Sequence, residues 1–376
     1  MKVVFTGGGT GGHFYPLISV AEELNHIIDT EAFAESELYY FGTEPYDQEA
    51  LYRQRLEFRE IPAGKNRLYF SFSNFSDIFV TLRGIIKAIL TLYSVYPDVI
   101  FSKGGYVAFP TVVAARIMRI PIIIHESDSA PGRVNEWTGK FAQYIALSWK
   151  EAAKYFPKDK VAVTGQPVRH AIAHTTEHGS HEYLHLEEET PTLFILGGSQ
   201  GAVMINDVIL DSLPELIEKY QIIHQVGKDN YDEVDIRTQA ILEGNPKASR
   251  YKAFPFLEPL AMSMAAGAAD LVISRAGSTI FEIAAWGVPS ILVPFSESNN
   301  DHSRKNAFNY ARIGAGVVIE EMNFKKHVLL SEIERVLSNK ELYSNMVDNA
   351  KNFYDDDAAE QIARAITNIA LQHEAQ

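Results

Sequence analysis

Four segments of this chain share one pattern, in which a short apolar strand leads into a loop containing glycine and then into a helix. In the first half such segments begin at Lys2, with the loop GGGTGGH, and at Pro97, with the loop SKGG. In the second half they begin at Pro191, with the loop GGSQG, and at Ala269, with the loop SRAG. Continuous apolar strands that alternate with helices are typical of parallel sheets covered on both faces. The pattern therefore predicts two similar doubly wound α/β domains in tandem.

The composition is compatible with two domains and narrows the function. The chain has 376 residues and no cysteine, which excludes disulfides, thiolate zinc sites and a cysteine nucleophile. Its formal net charge of −14 argues against nucleic-acid binding and against general adhesion to anionic membranes. The first residues lack the apolar core of a signal peptide, and no run approaches the roughly 20 apolar residues of a membrane span. We therefore expect a protein of the reducing cytoplasm.

Glycine loops of this kind suit phosphate binding. They allow backbone N–H groups to approach a phosphate, and the following helix adds partial positive charge. In open α/β sheets these sites lie beyond the carboxyl ends of the strands, so one loop per domain predicts a ligand held from two sides. The spacing Gly7-x-Gly9-x-x-Gly12 also fits a dinucleotide fingerprint, which requires an acidic residue about 20 positions on, at the end of the second strand. Glu31 falls before that predicted strand and Glu44 lies well beyond the distance, so a nicotinamide cofactor is the weaker interpretation.

Two polar segments could be interpreted as metal sites, although a simpler interpretation exists for each. Residues 174–190 are acidic and lack an apolar face, which favours a solvated surface loop; the segment contains His174, His178, His181 and His185. The run Asp355 to Asp357 suits the positive N-terminal end of a helix. We predict no bound metal.

Six motifs, taken in order, point to a family. They are GGGTGGH, FSKGGYVAFP, IIIHESDSAPGRVNEW, GQPVR, LGGSQGA and SRAGSTIFEIAAWGVPSILVPF. Together they resemble the bacterial MurG glycosyltransferases over residues 1–320. The resemblance implies the GT-B fold, with two Rossmann-like doubly wound parallel-sheet domains facing a cleft. It also implies transfer of N-acetylglucosamine from UDP-GlcNAc to lipid I, the undecaprenyl-pyrophosphoryl-MurNAc-pentapeptide, which forms lipid II for peptidoglycan.

On this basis the chain divides into three parts. Residues 1–167 are expected to form an acceptor-binding domain, and residues 168–355 a domain that binds the UDP-sugar. Residues 356–376 are expected to form a helix that packs back on the N-terminal domain.

The resemblance assigns the nucleotide sugar to the C-terminal domain. The matching positions are Arg169, Ser199, Gln200 and Gly201 for the diphosphate, Leu257 for the uracil edge, Glu282 for the ribose hydroxyls, and His302 and Ser303 for the sugar. Backbone amides and a guanidinium suit a phosphate, and a carboxylate suits vicinal hydroxyls. The structural alternatives are that Ser199 only caps a helix and that Arg169 only forms an ion pair at the domain boundary.

The resemblance assigns the acceptor to the N-terminal domain. His13 is the candidate general base for the acceptor hydroxyl, since it follows the glycine loop and an imidazole titrates near neutral pH. The alternative is a histidine that only orders the loop. Further matching positions are Thr10, Gly11, Gly12, Tyr106 and Asn135 as binding residues, and Glu126 and Asp128 as catalytic candidates.

The chain departs from the family motifs at four positions. Many members read His-Glu-Gln-Asn where this chain has His125 to Asp128, so Ser127 replaces a glutamine and Asp128 an asparagine. An aspartate can accept hydrogen bonds from sugar hydroxyls but, when ionised, cannot donate one, and it could compete with His13 as base. Gln166 replaces an asparagine, and Ser303 stands where glutamine is common. The resemblance therefore fixes donor selectivity less firmly than the reaction class.

The implied reaction is a single inverting displacement with UDP-GlcNAc as donor substrate and no obligatory cofactor. A lipid acceptor implies a peripheral enzyme at the cytoplasmic face of the plasma membrane, acting in cell-wall biogenesis, cell shape and cell division, with other cell-wall synthesis proteins as possible partners. Residues 66–90 are rich in aromatic and aliphatic side chains and carry Arg67, Arg83 and Lys87, which suits an interfacial patch. The alternative is an ordinary amphipathic helix on the core.

Three other functions remain compatible with the sequence. The chain could be a GT-B glycosyltransferase with another lipid acceptor, a UDP-GlcNAc 2-epimerase on a related fold, or a non-catalytic subunit that binds a nucleotide sugar. The 2-epimerase would act on UDP-GlcNAc without any acceptor, which separates it from both transferases.

Overall fold

The computed structural model describes residues 1–33, 35–65, 73–197, 202–296 and 301–374. Over these residues the chain forms two compact units. The first unit comprises Met1–Arg169 and Asp355–Gln376, and the second comprises His170–Tyr354. Each unit is built on its own parallel sheet.

The first unit contains a described sheet of seven strands in the order β3-β2-β1-β4-β5-β6-β7, and every pairing is parallel. The strands are β1 (Lys2–Thr6), β2 (Glu37–Gly42), β3 (Leu56–Glu60), β4 (Val99–Ser102), β5 (Ile122–Glu126), β6 (Tyr144–Leu147) and β7 (Val161–Val163). The helices are α1 (Gly11–Thr30), α2 (Gln48–Arg53), α3 (Ser73–Val95), α4 (Gly105–Met118) and α5 (Arg133–Thr138), with 3₁₀ turns at Lys150–Tyr155 and Lys158–Lys160.

The central strand β1 supplies apolar side chains to both faces of this sheet. Successive strand residues point to opposite faces, so Val3 and Phe5 join a core cluster with α1, whereas Val4 joins a second cluster with α3 and α4. All three side chains are fully buried. The uninterrupted apolar run in the sequence therefore reflects a sheet covered on both sides, as predicted.

The second unit repeats the plan with a described sheet of six parallel strands in the order β10-β9-β8-β11-β12-β13. The strands are β8 (Thr192–Leu196), β9 (Gln221–Gln225), β10 (Tyr251–Phe254), β11 (Leu271–Arg275), β12 (Ser290–Val293) and β13 (Gly316–Val318). The helices are α6 (His170–Ala173), α7 (Ser180–Tyr183), α8 (Val203–Lys219), α9 (Tyr231–Ile241), α10 (Pro259–Ala268), α11 (Thr279–Trp286), α12 (His302–Arg312), α13 (Lys326–Ser338) and α14 (Lys340–Phe353), with 3₁₀ turns at Lys228–Asn230, Ala248–Arg250 and Glu321–Asn323.

The central strand of this unit also supplies both of its faces. Leu193 and Ile195 of β8 join a core with α8 and α13. Phe194, which points the other way, stacks on Trp286 of α11 with ring centroids 5.9 Å apart. The doubly wound α/β class predicted from the repeated pattern is confirmed in both units.

The chain ends in α15 (Ala358–Glu374), which belongs to the first unit. Its apolar residues Ile362, Ala363 and Ile366 lie in the same core cluster as α1. The predicted acidic start is found, because the backbone N–H of Gln361 donates to the carbonyl of Asp357 at 2.9 Å and the three aspartates precede the helix.

The segment predicted to be a solvated loop, residues 174–190, differs from that expectation in one respect. It contains the single helical turn α7, whose first residue, Ser180, is buried, as is Leu184 directly after it. Within the described residues, no group of three or more histidine, aspartate or glutamate side chains is arranged to hold a metal ion.

Candidate active site

The strands that precede the glycine loops lie at the point where each sheet reverses its strand order. In the first unit the order reverses between β1 and β4, and in the second between β8 and β11. Each of these strands is followed by one of the four glycine segments found in the sequence. Open α/β sheets bind ligands beyond the carboxyl ends of the strands at this switch point. Each unit therefore has one candidate binding site in the position the fold favours.

The loop after β1 needs glycine for both conformation and packing. Gly7, Gly8 and Gly9 have backbone φ values of 149°, 130° and 86°, which residues other than glycine rarely adopt. A Cβ on Gly8 would lie 2.6 Å from the hydroxyl oxygen of Tyr40. That hydroxyl donates a 2.7 Å hydrogen bond to the carbonyl of Gly7. The buried side chain of Tyr40 therefore holds the backbone of this glycine loop in place.

His13 lies in the first turn of α1, directly after this loop. Its Nδ1 is 2.9 Å from the hydroxyl of Thr10, and its backbone N–H donates to the Thr10 carbonyl at 3.1 Å. If Nδ1 carries the proton and donates to Thr10, Nε2 is the basic nitrogen. A Cβ on Gly105 would lie 3.8 Å from Nε2, so the loop after β4 passes close to the imidazole. The geometry brings Thr10, His13 and the start of α4 together.

The remaining predicted residues of the glycine loops are near the same place. Gly11 and Gly12 form the first residues of α1, and both are half-exposed. Tyr106 is half-buried and would contact a Cβ on Gly9 at 3.1 Å. The ammonium of Lys65 lies 5.6 Å from the centre of the Tyr106 ring.

Glu126 ends β5 and is a buried carboxylate with three hydrogen-bond donors. Its oxygens accept from the backbone N–H of Asp128 at 2.9 Å, from that of Gly132 at 3.0 Å and from the side chain of Asn135 at 3.0 Å. Burial, followed by the charge of Asp128, raises the pKa of Glu126. The arrangement makes Glu126 an organiser of the turn after β5, since its oxygens are occupied by these donors.

Asn135 links this turn to the loop after β4. Its amide nitrogen donates to the backbone carbonyl of His125 and to Glu126, both at 3.0 Å. Its side-chain oxygen is buried, has no hydrogen-bond partner among the described residues, and would lie 2.4 Å from a Cβ on Gly104. Gly104 thus permits a close approach of this amide oxygen to the backbone of the loop.

Lys103 is a site residue that the sequence analysis missed. It follows β4, is only 2% exposed, and its ammonium contacts Nδ1 of His125 at 2.5 Å and the hydroxyl of Ser127. Nε2 of His125 lies 3.0 Å from the carbonyl of Gly165, which can only accept a hydrogen bond. The proton of His125 is therefore on Nε2. Burial and the nearby ammonium hold the pKa of His125 well below its usual value, so this imidazole is neutral.

Arg169 lies in the first unit and stacks on Tyr15 of α1. The guanidinium carbon is 3.6 Å from the centre of the Tyr15 ring. Burial raises the pKa of Tyr15 to about 12, although the guanidinium opposes this shift. Tyr15 is two residues beyond His13, so the structure places Arg169 beside α1.

In the second unit, Glu282 lies in the first turn of α11 and is half-buried. The exposed Gly277 precedes that helix, and a Cβ there would have no atom within 4 Å. A carboxylate at the edge of an open glycine turn is suitably placed to accept hydrogen bonds from the hydroxyls of a bound ribose.

Leu257 is buried, and its backbone N–H donates to the side-chain oxygen of Gln225 at 2.9 Å. Gln225 ends β9, so this bond fixes the segment after β10 to the carboxyl edge of the sheet. If Leu257 contacts a base, either its N–H is shared between the base and Gln225, or its backbone carbonyl makes the contact.

His302 and Ser303 begin α12. The preceding residue, Asp301, has φ of 61°, and the hydroxyl of Ser303 accepts a 2.9 Å hydrogen bond from the backbone N–H of Phe295. His302 is half-buried. The remaining predicted diphosphate residues, Ser199, Gln200 and Gly201, lie outside the described residues.

A buried polar relay supports the start of α8, and the sequence analysis missed it. Nε2 of His224 lies 3.1 Å from the amide oxygen of Asn206, and Nδ1 lies 2.9 Å from the hydroxyl of Tyr251. The side chain of Asn206, in the first turn of α8, also donates to the carbonyl of Val226 at 3.0 Å. Burial lowers the pKa of His224 to about 3, so it is neutral. The available signal was the polar pair, His224 and Gln225, at the end of the buried strand QIIHQ.

Comparison with known proteins shows to which family this architecture belongs. The family model described as the glycosyltransferase family 28 N-terminal domain matches residues 3–147, and that of the C-terminal domain matches residues 192–362. A curated protein of Treponema denticola is 37% identical over 326 residues, covering 84% of this chain and 83% of that protein. Its name is UDP-N-acetylglucosamine–N-acetylmuramyl-(pentapeptide) pyrophosphoryl-undecaprenol N-acetylglucosamine transferase. A protein of the same name from Clostridium tetani is 33% identical and covers 93% of both chains.

The chain belongs to the MurG family. The resemblance inferred from six motifs is thereby confirmed, and so is the glycosyltransferase class. The crystal structure of MurG from Acinetobacter baumannii matches with a TM-score of 0.73 at 25% identity, covering 98% of this chain and 99% of that chain. The GT-B class predicted for the MurG family is confirmed, with a Rossmann-like domain in each unit.

Epimerases share the fold of the MurG family at lower identity. The UDP-GlcNAc 2-epimerase of Neisseria meningitidis, solved with UDP-GlcNAc bound, matches with a TM-score of 0.66 at 16% identity and covers 98% of this chain and all of that chain. At this identity the similarity shows the fold alone. The 2-epimerase alternative is therefore less supported than membership of the MurG family.

Proposed function

We propose that this protein transfers N-acetylglucosamine from UDP-GlcNAc to the C4 hydroxyl of the muramyl sugar of lipid I, forming lipid II. The observation that carries the proposal is the identity of 37% over 84% of the chain to a transferase of that name. The structure adds a candidate site at the switch point of each unit, with an imidazole at the first and a carboxylate at the second.

The donor is assigned to the second unit. Glu282 would accept hydrogen bonds from the ribose, the segment at Leu257 would contact the uracil, and the start of α12 at His302 and Ser303 would contact the sugar. The family motif adds Ser199, Gln200, Gly201 and Arg169 for the diphosphate. Arg169 lies beside Tyr15 in the first unit, which makes it the donor residue most in need of a direct test.

The acceptor is assigned to the first unit. The loop Gly7 to Gly9 precedes the N-terminus of α1, where backbone donors and partial positive charge suit the acceptor's pyrophosphate. Thr10, Tyr106 and Asn135 lie against the glycine loops. We assign them, together with the half-buried Asp128, to the muramyl sugar.

These assigned roles imply one chemical step. Nε2 of His13 takes the proton of the acceptor hydroxyl, while a lone pair of that oxygen forms the new bond to the anomeric carbon. The bond from the anomeric carbon to the UDP oxygen breaks, and its electron pair leaves with UDP. Negative charge grows on the diphosphate, so fixed N–H donors at a helix N-terminus stabilise the transition state more than the ground state. The reaction balances without a cofactor.

A lipid acceptor requires contact with the membrane, and α3 has a suitable surface. Phe79, Ile86 and Leu90 are 58%, 54% and 66% exposed and lie along one face of the helix. Arg83 and Lys87 lie among these apolar side chains on the surface of α3. Aromatic and aliphatic groups flanked by cations suit the depth of lipid headgroups.

By length and composition α3 could also span a bilayer over Ser76–Val95, where the mean hydropathy is 1.7. Its opposite face argues against that, because Ala88 and Leu92 are fully buried in the core of the first unit. We therefore assign the protein to a peripheral position at the cytoplasmic face of the membrane. The rest of the predicted patch, residues 66–72, lies outside the described residues.

The direct test is incubation with labelled UDP-GlcNAc and lipid I in detergent. Transfer of the label into lipid with release of one UDP per sugar supports the proposal. A parallel reaction without lipid I separates the epimerase, since formation of a 2-epimerised sugar nucleotide there would replace the proposal with an isomerase. Transfer only to another polyprenyl-linked sugar would keep the reaction class and change the acceptor.

A further inference from the structure

The buried lysine of the first unit has no role in the mechanism above. Lys103 is 2% exposed, and its ammonium contacts His125 and Ser127. Taking an ammonium out of water is costly unless hydrogen bonds and opposite charges compensate it. The residues around Lys103 should therefore show what its charge is for.

His125 supplies a hydrogen bond but no charge. Its Nε2–H faces the carbonyl of Gly165, and its Nδ1 accepts from Lys103. The opposite charges come from two carboxylates of the turn after β5, Glu126 and Asp128. Burial lowers the pKa of Lys103, and these two carboxylates oppose that shift.

Compared with Lys103, burial shifts the pKa of Glu126 in the opposite direction. Burial and the charge of Asp128 raise its pKa, while Lys103 and the hydrogen bond from Asn135 lower it. The cluster thus holds two carboxylates against one buried cation, and the neutral His125 lies between Lys103 and the carbonyl of Gly165.

The hydrogen bonds of this cluster join positions at which the chain departs from the MurG motifs. The hydroxyl of Ser127 donates to the side-chain oxygen of Gln166 at 2.7 Å, and that of Ser148 donates to the same oxygen at 2.8 Å. Ser127 also accepts from Lys103, and Asp128 follows it directly. Three separate departures in the sequence are therefore one connected set in space.

We propose that Lys103 is a positioning residue for Asp128. The ammonium of Lys103 compensates the charge of the Asp128 carboxylate. Through Ser127 and Gln166, it also ties the turn that carries Asp128 to the segment that leads to Arg169. The role of Asp128 as an acceptor of hydrogen bonds from the muramyl sugar rests on the proposed function. Lys103 itself contacts no substrate, since its ammonium is enclosed by His125 and Ser127. Its effect on catalysis passes through the charge and position of the turn.

The test is a double-mutant cycle with Lys103→Met and Asp128→Asn. Lys103→Met leaves two carboxylates without their buried cation, so turnover falls and the acid limb of the kcat–pH profile moves to higher pH, because the pKa of Glu126 rises further once Lys103 no longer lowers it. Asp128→Asn removes one of these carboxylates. The double variant should therefore retain kcat/KM about 10-fold above the product of the two single effects.

Lys140→Met is the matched control, since Lys140 is an exposed lysine of the same unit. It should leave both kcat and the pH profile unchanged. Independent, multiplicative effects of the two substitutions, or an acid limb that does not move in Lys103→Met, would overturn the proposal.

A second readout keeps the test decisive if a variant is inactive or unstable. The same four proteins are compared by urea unfolding, where Asp128→Asn should restore part of the stability lost in Lys103→Met. Absence of this rescue overturns the charge compensation. If the wild-type protein transfers no N-acetylglucosamine at all, the proposed function fails, while the unfolding cycle still decides the role of Lys103.

Discussion

At the scale of single residues, the structure separates groups that face a ligand from groups that hold them in place. His13 is half-exposed and pairs with Thr10, whereas His125 and His224 are buried, neutral and bonded on both nitrogens. The sequence presents all three as histidines at or near the end of a strand. Only burial and partners distinguish a candidate base from a structural imidazole.

Replacing His13 tests its role as general base. His13→Ala should lower turnover by about 10²–10⁴-fold, the usual contribution of a positioned base, while the affinity for UDP stays near wild type because the proposed uracil and ribose contacts, at Leu257 and Glu282, lie in the second unit. His26→Ala is the control, since His26 is an exposed histidine on the same helix. Turnover retained in His13→Ala, measured by UDP release, would transfer the base role to Asp128.

The buried His224 predicts a pH dependence of stability. Its pKa is about 3 in the folded protein and 6.5 in the ordinary reference, so the unfolded chain binds the proton more readily. The contribution of the neutral His224 to the free energy of unfolding is therefore complete above pH 6.5. It is lost as the pH falls from 6.5 toward 3, by up to about 1.4 kcal/mol per pH unit. His125 acts in the same direction.

Urea unfolding between pH 7 and pH 5 checks this dependence. His224→Gln should have a shallower loss of stability than the wild type over this range. The exposed His178→Gln should leave the slope unchanged. Equal slopes for the wild type and His224→Gln would assign the acid sensitivity to other groups.

At the scale of elements, the sequence predicted the four strand–loop–helix segments because their strands are continuous apolar runs. It did not predict β3 or β7, whose sequences LEFRE and VAV are too polar or too short to form a clear pattern. Edge strands bury little, so their sequence is weakly constrained. The tertiary contacts of Lys103 and Asn206 were equally invisible, since each joins residues distant in the chain.

The glycine loop after β1 can be tested by a matched pair of substitutions. Gly8→Ala should lower the free energy of unfolding by about 1–3 kcal/mol, because φ is 130° and the new Cβ would meet the hydroxyl of Tyr40. Gly277→Ala, with no atom within 4 Å of its Cβ, should change it by less than about 0.5 kcal/mol. Equal costs in urea unfolding would mean that the first loop is not fixed by Tyr40.

The apolar face of α3 predicts membrane binding. A variant with Phe79→Ser, Leu82→Ser and Ile86→Ser should no longer float with anionic vesicles, because it loses the side chains expected at headgroup depth. The control replaces Tyr52, Ile236 and Met322 by serine, three comparably exposed apolar side chains on other elements. Unchanged flotation of the α3 variant would remove this face from the membrane contact.

At the scale of the whole molecule, the proposed function requires two units with the same plan and different ligands. The repeat in the sequence predicted the duplicated fold, and membership of the MurG family confirms the transferase class. The physical chemistry of the loops alone does not distinguish them, since both place a helix N-terminus at a switch point. The two units differ in the side chains at these positions: His13 lies after the loop that follows β1, and Glu282 lies in the helix that follows β11.

The central claim is that the sugar nucleotide binds to the second unit. The most direct measurement is a crystal structure of the protein with UDP. We expect the ribose at Glu282, the uracil at the segment of Leu257, and no nucleotide at the first loop. UDP bound against Gly7 to His13, with Glu282 unoccupied, would contradict the assignment of donor and acceptor to the two units.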